Sequence, residues 1–143
     1  MDRGLNQAWW ALRIGLGLGP FLAGLDKFFN VLANWEGYLS PLATKVLPIS
    51  AVSFMHLVGI IEMVVGLAIL TKFTRVFAYV AAVWLLAIAA NLVTTGHYFD
   101  VAVRDVLLAL SAFTLARLSE ARAKVPVAER RSAPAMRPAA SHA

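Results

Sequence analysis

Apolar residues run in four long blocks, at about 8–29, 52–70, 76–93 and 101–118, and polar residues collect between them. A helix needs about 20 residues, or slightly fewer, to cross the hydrocarbon core of a bilayer. Each block meets that length, so the pattern predicts four membrane-spanning helices. The second and third blocks are joined only by Thr71–Arg75, and the third and fourth only by Thr95–Asp100. Such short turns return the chain on itself, which makes neighbouring helices antiparallel. The one long connection, residues 30–51, carries Trp35, Tyr38, Pro41 and Pro48 and reads as a segment lying at the headgroup level. The first block is too long for the apolar region of a signal peptide and is read as a retained helix. The predicted fold is thus all-α and integral to the membrane: an antiparallel four-helix transmembrane bundle within residues 1–118.

Composition agrees with the pattern. Of 143 residues, 60% are hydrophobic and 15% charged, whereas soluble domains run nearer 45–50% and about 25%. The net charge of +5 is uneven: residues 1–116 hold seven basic and six acidic side chains, residues 117–143 six and two. Residues 119–143 are therefore expected to form a basic, disordered cytoplasmic tail, held by anionic lipid. No aromatic residue interleaves that basic run, so nucleic acid is not the expected partner. Arg3, Lys72, Arg75 and the tail fall on one side of the predicted membrane, with Lys45 nearly alone on the other, which places both termini in the cytoplasm. The absence of cysteine excludes disulfides, thiol catalysis and iron–sulfur ligation by this chain.

Three groups of residues carry candidate chemistry. The run Gly15-Leu-Gly-Leu-Gly19 lacks the preceding strand of a nucleotide-binding loop and is read as helix packing. Arg13, Gly17, Pro20, Gly24 and Lys27 share one helical stripe, expected to face inward because a lipid-facing charge costs about 2.5–3.5 kcal/mol. Glu62 lies deep in the second block between Gly59 and Gly66, at a depth within about 5 Å of Arg13. An intramembrane pair Arg13–Glu62 is the expectation. A second, outer polar cluster gathers Asp26, Lys27, His56, Asn91, His97, Tyr98, Asp100, Arg104 and Asp105 at the ends of all four helices, with Asp26–Arg104 and Lys27–Asp105 as expected pairs. Two readings of it stand open: a polar cap, or a pocket for a quinone head served by His56, His97, Tyr98, Arg104 and Asp105, with Phe28, Phe29, Trp84 and Phe99 as its flat apolar walls. No spacing supports a metal site.

The residues resemble the DoxX family of small bacterial membrane proteins. Leu12-Arg13-Ile-Gly-Leu-Gly through Ala23-Gly24-Leu-Asp-Lys27 is similar to its first-helix pattern, Gly59-Ile-Ile-Glu62-Met-Val-Val-Gly66 through Arg75 to its second, and Val103-Arg104-Asp105 to its fourth-helix opening. The resemblance covers about Leu12 to Leu118. It implies a multi-pass protein of the bacterial inner (cytoplasmic) membrane, a subunit of a respiratory or redox-stress complex that contacts quinone and has a redox-enzyme partner, with no established catalytic residue. An oligomer is compatible with it. The alternatives are a small transporter or ion-conducting bundle organised around Arg13 and Glu62, and a structural anchor for a partner protein.

Overall fold

The computed structural model describes the backbone of residues 3–132 and the side chains of residues 3–124. In chain order it holds α1 (Arg3–Asp26), a single 3-10 turn (Trp35–Tyr38), α2 (Pro41–Val46), α3 (Ala51–Ile69), α4 (Thr74–Thr94) and α5 (Phe99–Ser132). All regular structure among the described residues is helical. α1, α3 and α4 are long and apolar enough to cross a membrane. α5 is not among them: Arg104, Asp105 and Arg117 place three charges within the expected fourth span.

The long helices associate mainly in two pairs, α1 with α3 and α4 with α5, and lighter contacts of α3 with α4 and α1 with α5 join the pairs. Glycine sets the first pairing. A Cβ added at Gly24 would stand 2.5 Å from the Gly59 carbonyl oxygen, and one at Gly59 would stand 2.5 Å from that of Gly24. Gly66 lies equally close against the Gly17 backbone. Only residues without a side chain allow two backbones this near. Alanine does the same work in the second pair, where Ala78, Ala81 and Ala82 meet Ala112, Leu115 and Ala116.

The outward faces carry large apolar side chains: Leu18 and Leu22 on α1, Ile60 and Leu67 on α3, Val83 and Leu86 on α4, Leu107 and Phe113 on α5. A water-soluble monomer rarely exposes contiguous apolar surface beyond a few hundred Å². Hydrocarbon is the solvent that suits these faces.

The helices do not end where the apolar blocks end. α5 continues past Leu118, and its extra turns are tied back to the body. Trp9 Nε1 donates to Ser119 Oγ at 2.7 Å, Tyr79 OH donates to Glu120 Oε1 at 2.9 Å, and Arg122 donates to Asn6 Oδ1. The packed body thus reaches at least Arg122 rather than stopping at residue 118. Residues 133–143 of the expected tail lie outside the described residues. The long connection also holds more structure than its sequence suggested. Asp26 accepts hydrogen bonds from the amides of Val31 and Leu32 and from Trp35 Nε1. Asn30 turns through φ 53° just after α1, and Ser40 and Ser50 cap the starts of α2 and α3.

Candidate functional site

Between the two helix pairs lies a cavity of about 610 Å³. Small residues leave it open: Gly15, Gly19 and Ala23 of α1 and Ala81 and Ala87 of α4 are all in its lining. Met55, Val58, Val65, Leu85, Ile88 and Leu108 complete a mostly apolar wall. Trp35, Tyr38 and Leu39, from the long connection, cover the end near Asp26. That cover is pinned by α4: Asn91 Nδ2 donates to the Tyr38 carbonyl at 2.8 Å, and Ser40 N donates to Asn91 Oδ1 at 3.1 Å.

One polar group dominates the cavity. Lys27 Nζ donates to Glu62 Oε2 at 2.5 Å, with both residues buried. The ammonium also lies 3.8 Å from the centroid of the Trp35 ring, so the face of an indole offsets part of its desolvation. Asp105, buried, and Arg104 reach the same space from α5. Trp84 completes the group. Its Nε1 is buried and adjoins the Glu62 carboxylate, although no hydrogen bond of good geometry joins the two.

The expected pair Arg13–Glu62 does not form. Arg13 instead turns to the other end of the molecule, where its Nε donates to the Ile69 carbonyl at 3.1 Å and its Nη2 to those of Leu70 and Thr71 at 2.6 and 2.8 Å. It thereby caps the C-terminus of α3, where the unpaired carbonyls favour a cation. The helix register explains the exchange of partners. Gly24 opposite Gly59 and Gly17 opposite Gly66 set Arg13 opposite Leu70 and Phe21 opposite Glu62. Lys27 is then six residues from the level of Glu62, about 9 Å along the axis, and Arg13 eight, about 12 Å. The pairs Asp26–Arg104 and Lys27–Asp105 are likewise replaced, because Asp26 is used by the loop it caps and Lys27 by Glu62.

The outer polar cluster divides. Lys27, Asn91, Arg104 and Asp105 line the cavity. His56, His97, Tyr98, Asp26 and Asp100 do not. His56 stacks on Phe28 with ring centroids 4.6 Å apart and planes 10° from parallel. His97 and Asp100 are exposed. Tyr98 approaches the site only through an edge contact with Tyr38 at 4.6 Å. Of the five residues expected to serve a quinone head, the geometry therefore retains Arg104 and Asp105. Trp84 and Tyr38, which sequence reasoning left out of the polar set, belong to the site. Trp84 is expected from sequence as a flat apolar wall of such a pocket, and the structure keeps it in the lining while Phe28, Phe29 and Phe99 lie outside it.

Comparison with family models, with curated proteins and with solved structures gives no match.

Proposed function

We propose that the chain is a DoxX-like protein of the bacterial inner membrane, a four-span bundle with cytoplasmic termini whose central cavity receives the head of a quinone. In this reading it serves as the membrane subunit of a respiratory or redox-stress complex and not as an enzyme on its own. The observation that carries it is the mostly apolar cavity of about 610 Å³ whose lining includes the donors Lys27, Trp84 and Arg104. A quinone needs hydrogen-bond donors at its carbonyl oxygens and an apolar space for ring and tail, and this cavity offers both. Its volume falls within the roughly 300–1,000 Å³ usual for small-molecule sites.

The fourth span is supported by the outward face of α5, where Val103, Val106, Leu107, Leu110 and Phe113 are exposed. Within the stretches that resemble the family pattern, eight residues also sort by role. Gly24 and Gly66 lie at the α1–α3 contact, Lys27, Glu62, Arg104 and Asp105 line the central cavity, and Arg13 and Arg75 line a second cavity at the Arg3 end. A transporter organised around Arg13 and Glu62 is the weaker reading, since those side chains line separate cavities.

Titration of short-tailed ubiquinone and menaquinone analogues into the protein in nanodiscs, followed by tryptophan fluorescence, tests the reading. Binding is expected to saturate. Trp84→Phe and Arg104→Gln are each expected to weaken it about tenfold, or ~1.4 kcal/mol, the scale of one hydrogen bond. His97→Ala is expected to leave it unchanged. Linear, unsaturable quenching, or equal weakening by His97→Ala, contradicts the site.

A further inference from the structure

We propose that the second cavity, at the Arg3 end, binds the phosphate of an anionic lipid headgroup. This cavity holds about 450 Å³ where the α3–α4 turn meets α1 and α5. Four cations line it: Arg13, Lys72, Arg75 and Arg122. Among the described residues no aspartate or glutamate does, and none of the four is in an ion pair. Four like charges around one space repel one another, and an anion in that space removes the repulsion.

Two of the cations are held rigidly. Arg13 is fixed by three carbonyls and by the rings of Trp9 and Trp10, at 4.8 and 5.0 Å from its guanidinium carbon. Arg122 lies 4.3 Å over the Trp9 ring and donates to Asn6. The start of α4 opens into the same space. Its N-cap position is Phe73, which provides no side-chain cap, and Thr74, Arg75 and Val76 of the first turn line the cavity. Uncapped amides at the start of a 21-residue helix add a partial positive charge to the four full ones.

The surroundings select a lipid over a soluble phosphate. Trp10, 44% exposed beside the buried Trp9, is of the type that marks the headgroup level of a bilayer. Phe73 and Val76 border the cavity and are about half exposed, at 51% each, and Val80 continues the exposed apolar line along α4. A phosphate esterified to acyl chains can occupy the basic cavity and lay its chains on that line. The inference rests on the membrane-spanning reading and is independent of the quinone.

The test is lipid binding to the full chain in mild detergent, read by native mass spectrometry with phosphatidylglycerol or phosphatidylcholine added. The wild type is expected to retain phosphatidylglycerol selectively. The double variant Lys72→Gln/Arg75→Gln, at two exposed positions, is expected to bind it about 25-fold more weakly, about fivefold or ~1 kcal/mol for each charge removed. Lys45→Gln, in α2 away from the cavity, is expected to bind as the wild type does. Equal retention of the two lipids by the wild type, or an equal loss in Lys45→Gln, overturns the site. Displacement of the lipid by millimolar inorganic phosphate overturns the choice of lipid as the source. A chain that does not insert into nanodiscs at all refutes the membrane reading instead, and that result is distinct from equal lipid retention.

Discussion

Replacing Glu62 by glutamine removes one charge from a pair buried between α1 and α3 and leaves the Lys27 ammonium behind. At 2.5 Å and an effective dielectric constant of about 20, the attraction within the pair is about 6–7 kcal/mol before desolvation. Desolvation of the two ions offsets much of it, so the pair as a whole contributes little. Breaking it differs, because the uncompensated charge keeps its desolvation cost, typically about 3–5 kcal/mol. The amide of glutamine can still accept the Lys27 hydrogen bond, and the Trp35 face still attracts the ammonium at 3.8 Å. Glu62→Gln therefore belongs near the lower figure, about 3 kcal/mol, and Glu62→Ala, which also loses the acceptor, near about 5. Lys27→Met combined with Glu62→Met is expected to recover most of the loss. Unfolding in detergent–denaturant titrations of the wild type, Lys27→Met, Glu62→Met and the double variant gives the coupling energy directly. A Lys27–Glu62 coupling below about 0.5 kcal/mol refutes the reasoning, as does a larger coupling of Glu62 to Arg13.

Gly24→Ala is expected to destabilise the fold by about 1–3 kcal/mol in the same titration, because its Cβ meets backbone at 2.5 Å. Gly15→Ala, whose Cβ meets nothing within 4 Å, is expected to be neutral or to stabilise by up to about 1 kcal/mol. Asn91→Ala releases two hydrogen bonds to residues 38–40, and hydrogen exchange is expected to speed at the Ser40 amide while the middle of α4 stays protected. Single cysteines at the exposed positions Lys72 and His97 fix the orientation: an impermeant reagent is expected to label intact cells at 97 alone, and labelling at 72 alone reverses it.

The helices were legible because their signal is length and hydropathy. α3 and α4 fall within two residues of the blocks read from sequence, and the tight turns, at residues 70–73 and 95–98, lie within two residues of the expected joints. The shift of α1 to Arg3–Asp26 and the continuation of α5 to Ser132 were not legible, since neither hydropathy nor composition registers the tertiary contacts of Trp9 with Ser119 or Tyr79 with Glu120. The charge pairing failed for a geometric reason. Similar depth in the membrane matches Arg13 with Glu62, but partners are decided by helix register. The equal seven-residue spacings of Gly17–Gly24 and Gly59–Gly66 held that register, and crossing them antiparallel gives Lys27 to Glu62. The outer cluster failed more simply. Residues at one level of a membrane protein need not face one space, and His56, His97 and Asp100 face others.

The central claim is that the cavity between the helix pairs holds a quinone head, and photo-crosslinking tests it most directly. The full chain in nanodiscs is irradiated with an azido-quinone, and the labelled peptides are mapped by mass spectrometry. Labelling is expected in the α4 segment that holds Trp84, Ile88 and Asn91 and in the α5 segment that holds Arg104 and Leu108, with suppression by excess unmodified quinone. Labelling centred on His97 and Tyr98, or labelling that excess quinone does not suppress, contradicts the claim.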